Sequence, residues 1–363
     1  MEEEVRRFKS CSKSAANQCC CNCFIIPEYL NKKIYEKGTS CQKVKAWKNV
    51  IMTEQLRGRR NIAGMLQSFM PKSEKLYRVI YDAENSEKLP GYIARTEGQR
   101  TKGGRTVSEA YDYSGRTYDF FKEVFDRNSI NDSGMDLEST VHYGEDYNNA
   151  FWNGTQMVYG DGDGDIFNRF TKCIEVVGHE LTHGITQYEA ALEYQGQPGA
   201  LNESFSDIFG SLIKQYYLKQ TAEKADWLIG KDLLTNKIKG VALRSMKEPG
   251  TAYNDPVIGK DLQPSHIKQY KTMTEDNGGV HINSGIPNKA FYLTAIQIGG
   301  YAWEKAGRIW YITLRDRLRE RSTFQNVVNI TSEVAGTIYG KNSVEQKAVM
   351  LGWKGVGLKP KVK

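Results

Sequence analysis

The chain's 363 residues are enough for two lobes around a sizeable core. With 39% apolar and 26% charged residues and a mean hydropathy of −0.58, it has no run long enough to cross a membrane as a helix. A net charge of +7, with acidic and basic residues intermixed, excludes an extended nucleic-acid-binding surface.

The first ten residues, MEEEVRRFKS, start acidic and lack the apolar stretch of a secretory signal. That leaves two expected locations: the cytoplasm, or outside the cell by a non-classical route. Cys11, Cys19, Cys20, Cys21 and Cys23 crowd the first 23 residues, Cys41 follows, and only Cys173 lies in the remaining body. One cysteine cannot form an internal disulfide, so the body depends on packing. The Cys19–Cys23 cluster reads as an exposed, reducible tail; metal binding, acylation and oxidative pairing are its other chemistries. Residues 1–74 form a polar, Lys-rich accessory segment, with helices predicted over 28–37 and 42–52.

Residues 75–190 are mixed, with strands predicted over 77–81, 141–144 and 156–159 and an amphipathic helix over 107–125. The Asp161–Asp165 loop imitates the opening of an EF-hand. Position 12 of such a loop would be Lys172 rather than Glu, so an acidic turn is expected. Helical periods dominate residues 191–363, over 203–219, 287–298, 302–318, 324–339 and 344–351. No internal repeat is visible.

The bridge between these halves is His179-Glu180-Leu181-Thr182-His183, an HExxH pattern. Ile174, Val177, Leu181 and Ile185 recur at helical spacing and face a core. His179 and His183, four apart, share another face and can reach one zinc ion, with Glu180 placed to take a proton from its water. HExxH alone arises by chance in helices, and two histidines do not complete a catalytic zinc site. The candidate third ligand is Glu203, at the start of a predicted helix. Asp207 lies four residues on and can accept the outer N–H of a ligating histidine.

These residues resemble the thermolysin-type zinc endopeptidases. Nineteen residues separate His183 from Glu203, as in that family. The zinc aminopeptidases have one fewer, and their GxMEN motif is absent. A metzincin would need Gly at 186 and His at 189, where Thr186 and Glu189 stand. Asp276-Asn277-Gly278-Gly279-Val280-His281 matches a second family hallmark.

The resemblance implies an α+β fold of two lobes, β-rich before the zinc helix and helical after it, with that helix at the cleft floor. It implies His281 as the transition-state histidine, Asp276 as its partner, and Tyr194 beside the same oxyanion. Asn149 and Ala150 would bind substrate backbone and Arg244 a substrate carbonyl. Phe167, Phe170, Val176 and Leu243 would line an apolar pocket for the residue after the scissile bond.

Phe24-Ile25-Ile26-Pro27-Glu28-Tyr29-Leu30 is similar to the short propeptide of the protealysin branch. It implies a latent precursor whose first 70 or so residues are removable and block the cleft by packing; a cysteine on the zinc is the lesser alternative. Glu175 and Asp226 retain acidic character where relatives hold a calcium pair. Lys214, Leu228 and Lys231 replace other carboxylates, so loss of the double calcium site is expected, while a weaker Ca2+ site elsewhere stays open. Protein or peptide substrates, one zinc and a monomeric chain complete the expectation. An inactive zinc-binding scaffold and a zinc exopeptidase are the alternatives.

Overall fold

The computed structural model describes residues 23–63, 75–100 and 103–361, with the backbone alone over 54–63. Cys11, Cys19, Cys20, Cys21 and the boundary at residue 74 lie outside the described residues.

A six-stranded sheet forms the first lobe. Its strands are β1 (Cys23–Phe24), β2 (Arg78–Asp82), β3 (Tyr92–Thr96), β4 (Leu137–Val141), β5 (Ala150–Trp152) and β6 (Met157–Tyr159), in the order β1-β5-β6-β4-β2-β3. β4 runs parallel to β2 and β6; the other pairings are antiparallel. The strand expected over 141–144 instead ends at Val141, because His142 turns into the left-handed region at φ 52° and leaves the ladder. Helix α3 (Gly104–Phe125) packs on this sheet, with Val107, Ala110, Phe120 and Phe121 on the buried side of an amphipathic repeat; Phe120 and Phe121 meet Tyr216, Phe209 and Tyr311.

The accessory segment supplies β1 and two helices, α1 (Glu28–Lys37) and α2 (Ser40–Ala63). Pro27, which cannot donate to a helix, caps α1 and turns the chain out of the sheet. Leu30, Ile34, Ala46 and Met52 are buried beneath this pair. Tyr29 meets Tyr253 hydroxyl to hydroxyl at 3.3 Å, Gln42 donates to Asp165 at 2.6 Å and Lys45 pairs with Asp146 at 2.9 Å. The segment thus touches both lobes.

The chain then forms α4 (Ile174–Glu189) and α5 (Gly196–Leu218), which pack closely along their lengths. Glycine permits that approach: a Cβ on Gly210 would lie 2.4 Å from the Glu175 carbonyl oxygen. Helix α5 starts seven residues before the expected Glu203. Pro198 is tolerated in its first turn, where a backbone N–H has no helical acceptor anyway. Glu203 therefore projects from the helix body, which holds it more firmly than a fraying end.

The second lobe continues through the short strands β7 (Leu228–Ile229) and β8 (Arg244–Ser245). Helices α6 (Asp276–Asn283), α7 (Gly285–Ile298), α8 (Ala306–Ile312), α9 (Phe324–Tyr339) and α10 (Val344–Gly355) follow. The single helix expected over 302–318 is α8 followed by a π turn at Thr313–Arg317. Trp310 packs against Phe291 at 5.0 Å and stacks with Trp353 at 6.3 Å, joining α7, α8 and α10.

Candidate active site

Helix α4 presents His179 and His183 on one face, and α5 brings Glu203 opposite. The two Nε2 atoms are 3.0 Å apart, and each lies 3.4 Å from a Glu203 oxygen. Their outer nitrogens point away into fixed partners. His179 Nδ1 is 2.8 Å from Asp207 Oδ1; His183 Nδ1 is 2.8 Å from Asn202 Oδ1 and 3.0 Å from Ser206 Oγ. Both Nε2 atoms are thereby aimed at one point.

That point suits a zinc ion. Facing nitrogens and an anionic oxygen form a compact N/N/O donor set, and Glu203 Oε2 is buried with no hydrogen-bond partner. Burial alone would raise the Glu203 carboxyl, but His281, His183 and His179 together hold it well below the carboxylate range. Burial pushes His183 down to about 3, so it is a neutral donor. Burial opposes protonation of His179 as well, yet its hydrogen bonds to Asp207 and Glu203 bring it up to about 9.

Glu180 faces the same point from α4. Its Oε2 accepts the Trp152 N–H at 3.2 Å, and Oε1 is buried without a partner. Burial pushes this carboxyl up to about 8. Opposite stand Tyr194 and His281. Tyr194 donates its hydroxyl hydrogen to Glu203 Oε1 and lies 3.3 Å from His281 Nε2. His281 Nδ1 sits 2.5 Å from Asp276 Oδ1, and the His281 N–H donates to Asp276 Oδ2 at 3.0 Å. Asp276, Asn277, Gly278 and Gly279 all have positive φ, folding the carboxylate back onto the ring. Burial disfavours the imidazolium, but Glu203 and Asp276 outweigh it and raise the His281 pKa.

A second ionic pair supports the first set. Arg244 Nε and Nη2 donate to the two Asp207 oxygens at 2.9 and 2.8 Å, and Asn288 adds a third donor at 2.9 Å. Burial would raise Asp207, yet Arg244 and His179 hold it at about 2. Asn149 and Ala150 are buried at the start of β5. Phe167, Phe170, Val176 and Leu243 are buried in the main core that spans both lobes, with the Phe167 and Phe170 rings 6.0 Å apart.

Asn202, Ser206 and Asn288 were not anticipated. The first two sit one position before Glu203 and Asp207, so their helical spacing held a usable signal; Asn288 had none. Cys23 packs on Tyr194 and Val280 and is not among the converging donors. The group nearest the oxyanion side is instead the Phe24 carbonyl oxygen, 2.7 Å from His281 Nε2.

His142 and His266 lie apart from this site. The first bonds Asp161 at 2.6 Å, and the second accepts the Lys268 N–H at 3.2 Å. The acidic turn is stitched internally: Asp163 Oδ1 accepts from the N–H groups of Asp165, Ile166 and Phe167.

Models of the thermolysin metallopeptidase catalytic domain and of its alpha-helical domain match residues 67–187 and 190–358. The chain belongs to the thermolysin family of metallopeptidases. An extracellular metalloprotease of Pectobacterium carotovorum subsp. carotovorum is 50% identical over 345 residues, spanning 93% of this chain and 96% of that protein. Protease PrtS of Photorhabdus sp. (strain Az29) is 48% identical over 352 residues, 93% and 92% of the two chains. The structure of the precursor of protealysin, a metalloproteinase from Serratia proteamaculans, is similar at a TM-score of 0.84. It is 50% identical, with 92% of this chain and 99% of that one covered.

This thermolysin-family chain is a zinc metalloendopeptidase with the two-lobe fold of its family. No helix among the described residues is long and apolar enough to cross a membrane.

Where the resemblance implied lost calcium ligands, the Lys214 ammonium lies 3.1 Å from both Asp226 oxygens and 3.5 Å from Glu175 Oε1. A fixed cation thus sits between these two carboxylates. Lys214→Met leaves Glu175, only 3% exposed, with the Lys231 N–H but no cation beside it, and is expected to cost about 3 kcal/mol in a urea melt. Calcium added to the unsubstituted chain is expected to leave its Tm unchanged.

Proposed function

We propose that the chain is the latent precursor of a zinc endopeptidase that cuts before bulky apolar residues, with His179, His183 and Glu203 as the zinc ligands. The observation that carries this is the convergence of two imidazole Nε2 atoms and one carboxylate, with the unpartnered Glu180 oxygen beside them. Bound there, zinc supplies a Lewis acid that polarises a carbonyl and brings a water's pKa down to about 7.

The remaining chemistry belongs to the chain. Glu180 takes the proton from the attacking water and returns it to the leaving amine. His281 and Tyr194 donate to the oxyanion, and Asp276 keeps the His281 ring charged and aimed. One such donor is worth roughly 3–4 kcal/mol in an oxyanion site. Asp207 orients His179. Asn149 and Ala150 hold substrate backbone, Arg244 binds a carbonyl, and Phe170, Val176 and Leu243 form the apolar pocket.

Residues 1–74 are proposed as the removable inhibitory segment, followed by catalytic lobes at 75–190 and 191–363. Latency is supported by β1, which covers β5, and by the Phe24 carbonyl on His281. An extracellular site of action is proposed in line with the Pectobacterium relative's name. The chain is proposed to act as a monomer.

Two measurements test the reading. One zinc per chain is expected by elemental analysis. A peptide blocked at both termini is expected to be cut internally; an exopeptidase or an inactive scaffold would leave it whole. In a digest of an unfolded protein, cuts are expected before Leu, Phe and Ile. Clustering before charged residues would remove the pocket assignment.

A further inference from the structure

Helix α2 is seated on the first lobe by side chains on one of its faces. Lys45 pairs with Asp146 at 2.9 Å, and Lys48 reaches Glu145 at 3.4 Å. Asn49, buried beside them, reads backbone. Its Oδ1 accepts the Asn148 N–H at 2.8 Å, and its Nδ2 donates to the Asp146 carbonyl at 3.5 Å. Met52, 3% exposed, belongs to a buried cluster with Ala83, Tyr143, Tyr147 and Phe151. A Cβ on Gly144 would stand 3.2 Å from the Met52 Cε, so this glycine leaves the room that the thioether fills. The four anchors fall at i, i+3, i+4 and i+7, the spacing by which a groove takes one face of a helix.

Charge divides across this contact. Residues 28–53 carry six lysines against two glutamates, and the lobe meets α2 with Glu145, Asp146 and Asp165. None of these groups belongs to the zinc site. Asn148 immediately precedes Asn149, so the seat runs into the edge assigned above to substrate backbone. The acidic rim and the apolar socket are parts of the catalytic lobe, and they remain with it when residues 1–74 leave.

We propose that this vacated seat is an exosite of the activated enzyme, which recruits substrate proteins bearing a lysine-rich amphipathic helix with an unbranched apolar anchor. The inference rests on the endopeptidase reading above and on the departure of residues 1–74. Opposite charge draws the helix to the rim, and the socket beside Gly144 selects a long, slender anchor such as Met. A helix held there keeps the rest of its chain beside β5 and raises the local concentration of the cleavable stretch. In this chain the strand on β5 precedes the helix, so the exosite favours cuts on the N-terminal side of the helix it binds. The groups that break the bond are untouched, so the gain lies in KM and not in kcat.

The test compares two peptides blocked at both ends that share one uncharged cleavage sequence. One of them also carries residues 40–53 on its C-terminal side, through a flexible linker of about 15 residues. The full chain is loaded with zinc and activated, and intact mass confirms the loss of residues 1–74. The tethered peptide is expected to be cut with a kcat/KM about tenfold higher, wholly through KM. Asp146→Lys in the enzyme is expected to abolish that gain and to leave the plain peptide's kcat/KM unchanged. Pairing this variant with Lys45→Glu in the peptide is expected to restore the gain. Met52→Asp in the peptide is expected to remove it on the unsubstituted enzyme, with no change to the enzyme's own fold. The unprocessed chain is expected to leave a labelled copy of residues 40–53 unbound, because its own α2 fills the seat.

Equal kcat/KM for the two peptides, or a gain that survives both Asp146→Lys and Met52→Asp, overturns the exosite and leaves the endopeptidase reading standing. An activated, zinc-loaded chain that cuts neither peptide overturns that reading and the proposal with it.

Discussion

Glu180→Gln is expected to leave a folded chain that binds one zinc but hydrolyses a blocked internal peptide at least about 10³-fold more slowly after activation. The substitution keeps the side chain's shape, and its amide oxygen can still accept the Trp152 N–H now held at 3.2 Å. It removes the group that accepts a proton at Oε1, the buried atom without a partner. Burial already lifts this carboxyl to about 8, the environment of a carboxyl suited to giving a proton back as well as taking one. Zinc analysis and kcat separate the two functions. Near-normal turnover in the zinc-loaded variant would refute Glu180 as the base.

Asp207→Ala is expected to injure folding and metal binding together. Asp207 is fully buried, accepts from Arg244 and Asn288, and lies 2.8 Å from His179 Nδ1. Its loss leaves the Arg244 guanidinium, only 3% exposed, without its carboxylate, a penalty of about 3–5 kcal/mol. It also releases the outer nitrogen of His179, which should weaken zinc binding by roughly 10–100-fold. A urea melt of the metal-free chain reads the first effect, and competition with a chelator reads the second. If the melt shifts while zinc affinity holds, Asp207 is a partner of Arg244 alone. Asp207→Asn keeps the volume but not the charge, and is expected to fall between the two.

The helical face carrying His179 and His183 was legible because a four-residue spacing has one meaning in a helix. Glu203 and Asp207 were legible for the same reason once their distance from the HExxH helix matched a family pattern. Less was legible about their neighbours. Asn202 and Ser206 share that helical spacing, yet their residue types bond equally well to water or backbone. The early start of α5 was hidden by Pro198, which usually marks a loop and here sits in a first turn. The π turn after α8 carries the same apolar period as a continuing helix.

The amino-acid sequence by itself determined the reacting groups: a pair of histidines one helical turn apart, a base between them, a third ligand, and an aspartate–histidine pair in a glycine turn. Those depend on local spacing and on side-chain chemistry, which residue names express. Only the tertiary structure decided how the chain lies upon itself. The contacts of His281 with Phe24 and of Arg244 with Ile25 and Asp207 join residues far apart in the chain. Phe24 and Ile25 are bound through backbone carbonyls, which every residue carries and no residue type announces. The pairing of the short strand β1 with β5 sets their register.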